Sequence, residues 1–169
     1  MTTLLQEDLF RSHGPWGLLV GCALLNLTRR QQVDAVLPGL LSRWPTAEDM
    51  AAAGTADVED VVRPLGLQHR RAWTLRCLSH DWLNRSCPVP TAAEVRHMRG
   101  VGQYAEDSYR VFVLGERPRS AEVDDRILRR RLEEVRLSEL GGGGRNRGHF
   151  TYWDAGEDLY RTLIESTSI

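Results

Sequence analysis

Two short stretches of the chain hold the residues best suited to chemistry. In the first, Gly100-Val101-Gly102 offers a turn in which glycine permits positive φ and lets a ligand approach the backbone closely. If a helix follows this turn, its first amides point outward and suit a phosphate. In the second, Asp124 precedes a helical pattern, whose dipole favours an ionised carboxylate. Taken alone, the Gly-x-Gly turn is more typical of an ordinary connection between helices, and Asp124 can equally be read as a plain charge at a helix N-terminus.

Helices are predicted on both sides of the Gly-x-Gly turn. Thr91 and Glu94 form a capping box, which predicts a helix that begins at Thr91 and stops at Gly100. A second helix starts near Gln103, so residues 91–114 form a hairpin. Further helices are predicted over residues 4–11, 16–28, 33–44, 55–62, 70–82, 125–136 and 153–164, with another opening at Thr46. Repeated short helices with few strand-like alternations indicate an all-α protein.

Together these stretches resemble the helix–hairpin–helix superfamily of DNA glycosylases, which includes endonuclease III. Met98-Arg99-Gly100-Val101-Gly102 stands where the family has Leu-Pro-Gly-Val-Gly, and Val123-Asp124 stands where it has Val-Asp with the catalytic aspartate. The resemblance narrows to the glycosylase domain of the methyl-CpG-binding thymine DNA glycosylase. It covers roughly residues 4 to 135, and the further matching stretches are residues 6–10, 24–28, 63–67 and 104–112.

The resemblance implies a single two-lobed domain over residues 1–169. The first lobe is expected over about 17–118, with the hairpin inside it. The second lobe is expected to combine 1–16 with 119–169. A flipped base would lie in the cleft between the lobes.

The resemblance also implies roles for individual residues. Asp124 is the expected catalytic carboxylate, and Tyr104 is expected to border the base pocket and take part in catalysis. Gln6 and Asn26 are expected in the same pocket, although a solvated helix position is equally open for Gln6. The residues expected to form the DNA-binding hairpin are Arg99, Gly100, Val101, Gly102 and Gln103.

Two loops are expected to enter the stack of bases. Leu27 stands where the resembled enzyme has Arg, so an apolar wedge would fill the gap left by the flipped nucleotide. The turn over residues 63–67 is expected to supply a second wedge, either Leu65 or Leu67. The expected phosphate contacts are Arg29, Arg30, Arg70 and Arg126. Arg71 and Arg76 are also expected to face DNA, and Trp73 is expected in the core.

The composition limits the chemistry. All 22 basic residues are Arg, so no Lys amine is present to form the Schiff base that strand-cutting glycosylases use. Tyr104 stands at the hairpin position where the lyases carry that Lys. Three cysteines are too few for a four-cysteine iron–sulfur cluster, and the five scattered histidines lack metal-ligand spacing. We therefore expect base release without strand cutting, and no metal or cofactor.

Charge distribution favours a nucleic-acid partner. The net charge is only −1, but residues 63–131 carry 14 Arg and 8 acidic residues. We expect a monomer that binds double-stranded DNA holding a mismatched or damaged base. The longest apolar run is too short and interrupted to span a bilayer, and the N-terminus lacks a secretion-signal pattern, so an intracellular, membrane-free location with the DNA is expected.

The implied function is a monofunctional DNA glycosylase of base excision repair that flips out and releases thymine or uracil mispaired with guanine. Two alternatives stay open on the sequence. One is a non-catalytic helix–hairpin–helix DNA-binding protein. The other is a glycosylase for another base, either adenine or a modified pyrimidine.

Overall fold

The computed structural model describes residues 4–116, 118, 123 and 125–141, and these form eight α-helices. The helices are α1 Leu5–Leu25, α2 Arg30–Arg43, α3 Ala47–Ala52, α4 Thr55–Val62, α5 Gln68–Leu83, α6 Ala92–Arg96, α7 Gln103–Phe112 and α8 Arg126–Gly141. A 3-10 turn, Arg63–Leu65, links α4 to the loop before α5. The prediction of an all-α fold is confirmed.

Local capping signals set several helix starts as the sequence predicts. Thr91 Oγ1 accepts from the Glu94 amide at 3.3 Å, and Glu94 Oε2 accepts from the Thr91 amide at 2.8 Å, which is the reciprocal capping box. Thr46 caps α3 by accepting from the Asp49 amide at 3.2 Å. The predicted hairpin is present as α6, a turn and α7, but α6 ends at Arg96 and not at Gly100 as predicted.

The prediction of two helices over 4–11 and 16–28 is confirmed apart from their bounds, because α1 consists of two helical segments that meet at a kink. Gly14 at the kink is not helical, with φ of 67° and ψ of −166°. Pro15 follows and is tolerated because it starts the second helical segment. The helix ends at Leu25 rather than residue 28, since Asn26 is extended and Leu27 takes the left-handed conformation.

The core is built where α1, α5 and α7 pack together. Helix α5 packs against α3, α4 and α1, and α1 packs against α7. Trp16 Nε1 donates to Ser79 Oγ at 3.0 Å, which ties α1 to α5 inside the core. Tyr109 of α7 is fully buried, and its hydroxyl donates to the Pro90 carbonyl at 3.0 Å. The C-terminal end of α1 lies near the start of α7, since Cys22 and Leu25 line the same cavity as Gln103 and Tyr104.

Some predictions fall beyond the part of the chain that the structure describes. Asp124, the expected catalytic residue, lies outside the described residues, as does the helix predicted over 153–164. The division into lobes over 17–118 and over 1–16 plus 119–169 stays a prediction.

Candidate functional site

A cavity of about 690 Å³ lies between the C-terminal end of α1, the hairpin and the start of α8. We call it the main cavity. It brings together residues that the sequence places far apart. The predicted site residues in its wall are Gln6, Asn26, Leu27, Arg29, Arg30, Gly100, Gly102, Gln103 and Tyr104. The wall also holds Cys22 and Asp125, which were not predicted as site residues.

Tyr104 lies in the first turn of α7 and is half-buried in the cavity wall. Burial raises the pKa of the Tyr104 phenol far above its usual value of 10, and the charges of the Cys22 and Asp125 groups raise it further. Burial likewise raises the pKa of the Cys22 thiol to about 12. Both groups are therefore neutral at physiological pH, and the Tyr104 hydroxyl keeps its proton for donation.

Asp125 lines the cavity and caps α8. Its Oδ1 accepts from the Ile127 amide at 2.9 Å and from the Leu128 amide at 2.7 Å. Val123 is buried in the core, and its carbonyl accepts from Arg129 Nε at 3.1 Å and Nη2 at 2.7 Å. The residues immediately before and after Asp124 in the chain are thus both anchored to the start of α8.

Gln6 is only 4% exposed, although it lies in the first turn of a helix. The alternative of a solvated helix position is therefore wrong for Gln6. Its neighbour Glu7 is 2% exposed and lies 3.4 Å from Arg11 and 3.8 Å from Arg131 of α8. Burial raises the pKa of Glu7 above its usual value of 4.5, because desolvation outweighs the amide of Leu4 and the two arginines. The ion pair between Glu7 and Arg131 joins α1 to α8 next to the cavity.

The hairpin turn depends on a glycine at position 100. Gly100 has φ of 83°, and a Cβ built there would lie 2.4 Å from Thr74 Cγ2 on α5. Gly102 caps α7 in an extended conformation, and nothing lies within 4 Å of its would-be Cβ. The first amides of α7 point out from this open position, as a phosphate site requires. Val101 is buried beneath the turn.

Arg99 and Gln103 flank the turn on its exposed side. The Arg99 amide donates to Asp81 Oδ2 at 2.7 Å, so that amide is already used within the protein. The Arg99 guanidinium stacks 4.6 Å from the centre of the Trp73 ring. Trp73 is 51% exposed, so its predicted place in the core is wrong. Gln103 Nε2 donates to the buried Asp107 Oδ1 at 2.9 Å.

Two leucines project from the loops beside the cavity. Leu27 is 83% exposed with φ of 58°, and Leu67 is 55% exposed with φ of 52°. They are the two non-glycine residues with positive φ in the described part of the chain. Both line a second, small cavity of about 40 Å³, so the loops meet. Leu65 is buried in the core at 8% exposure, so of the two candidates for the second wedge only Leu67 is exposed, and its role as a wedge stays a prediction.

The predicted phosphate contacts are exposed. Arg29 and Arg30 lie in the cavity wall, and Arg30 Nε pairs with Asp34 at 2.8 Å. Arg70 borders the small cavity with Leu27 and Leu67, and Arg126 is exposed at the first position of α8.

Arg71 and Arg76 do not face outward as expected. Arg71 is 7% exposed and is bonded inward to both leucine loops. Arg76 donates to Thr55 Oγ1 and, at 3.4 Å, to the Ala51 carbonyl, so it braces α3 and α4 against α5.

Comparisons with known proteins agree with this geometry. No family model matches the chain. The chain is 36% identical over 112 residues to the methyl-CpG-binding domain protein 4-like protein of Arabidopsis thaliana, which covers 66% of this chain and 24% of that protein. It is 30% identical over 103 residues to the thymine/uracil-DNA glycosylase of Pyrobaculum aerophilum, over 60% of this chain and 45% of that protein. The chain thus spans less than half the length of either relative.

A solved structure of a thermostable thymine-DNA glycosylase has the same fold. It matches with a TM-score of 0.60 and 18% identity, over 99% of this chain and 79% of that one. The sequence matches and the shared fold make the chain similar to the helix–hairpin–helix DNA glycosylases.

Two unpredicted features of the site matter most. Asp125 places a carboxylate in the wall, and its only sequence signal is an Asp placed before an apolar helical run, which is an N-cap pattern. Cys22 is contributed by the buried helix α1, and no sequence signal separates it from the apolar neighbours that fill the core.

No group of three His, Cys, Asp or Glu side chains among the described residues is close enough to hold a metal ion. No helix in that part of the chain is long and apolar enough to cross a bilayer.

Proposed function

We propose that the chain is a monofunctional DNA glycosylase that releases thymine or uracil mispaired with guanine. The observation that carries this proposal is the main cavity, lined by Gln6, Asn26 and Tyr104, directly beside the exposed Leu27. A base inside a duplex is unreachable, so the enzyme extrudes the nucleotide into a pocket. Unstacking costs a few kcal/mol and costs least at a mismatch, which itself favours mispaired bases.

Phosphates beside the target nucleotide bind at the hairpin. The open backbone at Gly102 and the first amides of α7 face the cavity mouth, where a helix dipole favours an anion. Arg29, Arg30 and Arg70 are exposed around the cavity and the leucine loops. Arg126 extends this surface to the start of α8. The proposed partner is therefore double-stranded DNA, bound inside the cell by a single copy of the chain.

The extruded pyrimidine is recognised by neutral polar groups. Uracil and thymine present two carbonyl acceptors and one N–H donor, whereas a side-chain amide supplies both an acceptor and donors. Gln6 is buried in the wall and so is held ready for this pairing. The neutral phenol of Tyr104 donates to a base carbonyl or stacks on the ring, which supports a pyrimidine rather than a charged ligand.

Hydrolysis breaks the bond between C1′ and the base nitrogen, and water supplies the new oxygen on C1′. Positive charge develops on the sugar during this step, so a carboxylate at Asp124 stabilises the transition state and orients the water. The proton lost by the water balances the one gained by the departing base. Because all 22 basic residues are Arg, no Lys amine competes to form a Schiff base, and the strand stays intact.

Base release from end-labelled duplexes tests the proposal. Guanine is placed opposite thymine, uracil or 5-hydroxymethyluracil, and each product is read with and without hot alkali. We expect breakage only after alkali, and loss of it in Asp124→Asn with DNA binding retained. Binding without release from any duplex, unchanged by Asp124→Asn, would instead indicate a DNA-binding protein. Activity only on adenine opposite 8-oxoguanine would indicate a glycosylase for another base.

Borohydride trapping tests the absence of strand cutting separately. A Schiff base between an amine and the abasic sugar is reduced to a stable protein–DNA adduct. We expect no efficient adduct with this chain and an efficient one with a Lys-dependent glycosylase assayed in parallel. Efficient trapping would show that the N-terminal amine acts in place of Lys and that the enzyme is bifunctional.

A further inference from the structure

The loops that carry Leu27 and Leu67 share a single buried cation. Arg71 of α5 donates from Nε to the carbonyl of Gly66 at 2.9 Å, and Gly66 is the residue before Leu67. Its Nη1 donates to the Leu24 carbonyl at 3.1 Å. Its Nη2 donates to the Asn26 carbonyl at 3.1 Å and to Thr28 Oγ1, the two residues that flank Leu27. One guanidinium therefore bonds to the backbone before each leucine and to the side chain of the residue after Leu27.

The Arg71 side chain is suited to bonding both leucine loops at once. Arg71 is 7% exposed, and arginine is seldom buried unless it is paired. All four acceptors named above are neutral, so these bonds do not cancel its positive charge. Burial lowers the pKa of the guanidinium below its usual value, but arginine keeps its proton. The planar fork of five N–H groups reaches several carbonyls at once, which a Lys amine cannot do.

The two leucines need such support because their conformation is unfavourable. Positive φ is uncommon for residues other than glycine and is strained for bulky side chains. Such strain persists only where surrounding structure over-determines it. Leu27 and Leu67 also lie largely in solvent, so core packing does not hold them. The carbonyl bonds to Arg71 supply a constraint that the leucine side chains lack.

We infer that Arg71 is a positioning residue that presets Leu27 and Leu67 as one rigid pair, which enters the duplex together when the nucleotide is extruded. This inference rests on the proposed function and adds to it a residue that touches neither the base nor the reacting atoms. Preorganisation matters because the loops then spend no binding energy on ordering themselves at the moment of insertion. The buried positive charge beneath the loops also favours the approach of the phosphate backbone.

The test separates extrusion from chemistry. A duplex with uracil opposite guanine carries 2-aminopurine beside the uracil, and its fluorescence rises when the neighbour unstacks. Arg71→Lys keeps the charge and removes the fork. We expect it to bind this duplex but to lose about tenfold or more in the extrusion equilibrium and in single-turnover base release, since small misplacements of positioning groups have effects of this size.

Arg76→Lys is the matched control. Arg76 lies on the same helix and makes its own inward bonds to Thr55 and Ala51, away from both leucine loops. Melting temperatures of both variants by circular dichroism show whether folding is equally affected. We expect Arg76→Lys to retain extrusion at equal or greater loss of stability. Equal behaviour of the two variants would overturn the inference.

A double-mutant cycle measures the coupling between the two leucines, which would not change if Arg71 had only a general structural role. In the wild-type background Leu27→Ala and Leu67→Ala are expected to be strongly coupled in extrusion, because the pair acts as a unit. In the Arg71→Lys background the coupling is expected to vanish. Coupling of the same size in both backgrounds would overturn the inference.

A second variant serves if Arg71→Lys fails to fold. Thr28→Val removes one acceptor of the same guanidinium at the surface, and we expect a smaller loss of extrusion in the same direction. Normal extrusion in this variant would contradict the inference. Wild-type protein that neither extrudes nor releases any base would reject the proposed function itself, whereas an active wild type with an equally active Arg71→Lys would reject the inference alone.

Discussion

Gly100 in the hairpin lies against Thr74 of α5, so closely that a Cβ on Gly100 would meet Thr74 Cγ2 at 2.4 Å. The same glycine has φ of 83°, a conformation that costs other residues about 1–2 kcal/mol. Position 100 therefore requires glycine for two reasons, the close contact with α5 and the positive φ. Because α5 also carries Arg71, the hairpin and the two leucine loops share one support.

Gly100→Ala is expected to lower the free energy of unfolding by about 1–3 kcal/mol and to weaken DNA binding, because both steric space and backbone conformation are violated. Thr74→Ser in the same chain removes Cγ2 and is expected to restore part of the loss, since the strain from positive φ remains. Urea unfolding and fluorescence anisotropy with a labelled duplex measure the two effects. Full restoration by Thr74→Ser would show that the conformation of Gly100 contributes nothing.

Gly102→Ala is the matched variant, and it separates binding from folding. Nothing lies within 4 Å of the would-be Cβ, and φ of −98° is allowed for alanine. We expect an unchanged melting temperature and about tenfold weaker binding to DNA, because the methyl group occupies the space through which a phosphate approaches the amides of α7. Unchanged binding at an unchanged melting temperature would remove the hairpin from the DNA interface.

The buried carboxylate of Glu7, next to the cavity, gives a prediction about how stability depends on pH. Burial raises the pKa of Glu7 in the folded state, so the folded protein holds this proton more tightly than the unfolded chain. The contribution of Glu7 to stability is thus complete below about pH 4.5 and declines as the pH rises through the raised pKa. Glu7→Gln keeps an acceptor for the Leu4 amide and removes the titration. The stability difference between wild type and Glu7→Gln is expected to favour wild type most at low pH.

Urea unfolding of both proteins from pH 4.5 to 7.5 measures this difference, whose slope cannot exceed about 1.4 kcal/mol per pH unit. Glu48→Gln is the control, since Glu48 lies exposed in the first turn of α3. Its substitution controls for the general effect of replacing an exposed carboxylate with an amide. A wild-type advantage that grows with pH would mean that the charges of Arg131 and Arg11 outweigh the desolvation of Glu7.

Tyr104 is predicted to act as a neutral donor at every pH at which the enzyme works. Burial, with the charges of Cys22 and Asp125 beside it, raises the pKa of the phenol, so the hydroxyl does not ionise in the alkaline range. Tyr104→Phe is expected to slow base release about tenfold, the equivalent of one lost hydrogen bond of about 1–1.5 kcal/mol. Single-turnover rates from pH 6 to 9.5 are expected to have the same shape in both proteins. An alkaline decline that disappears in Tyr104→Phe would show that the phenol does ionise.

Several features of this site follow from short segments and could therefore be predicted from the sequence. The caps at Thr46 and Thr91 involve residues three apart, so the local sequence determines them. Tyr104 and the hairpin glycines follow from a motif of the superfamily, and the structure brings them into one wall with Gln6 and Asn26.

Features that depend on long-range contacts could not be predicted. Arg71 follows Arg70 in the chain and has the same residue type, yet only Arg71 bonds to carbonyls 45 and 47 positions earlier. The positive φ of Leu27 and Leu67 has no residue signature, because tertiary bonds impose it on residues that do not favour it.

Asp125 at the start of α8 and Asp124, which precedes it in the sequence, give the sharpest prediction for the reaction. Asp125 already uses Oδ1 to cap α8 through the amides of Ile127 and Leu128, and Asn is as good an N-cap as Asp. Asp125→Asn is therefore expected to keep the melting temperature, and any effect on base release reports its charge alone.

We expect Asp124→Asn to lower single-turnover release at least about a hundredfold, the size of effect that loss of one transition-state stabilising group produces. Asp125→Asn is expected to lower it less than Asp124→Asn does, and Asp125→Ala to lower stability by about 1 kcal/mol through loss of the cap. If Asp125→Asn abolishes release while Asp124→Asn does not, the carboxylate that lines the cavity is the catalytic one, and the register taken from the Val-Asp motif is wrong by one residue.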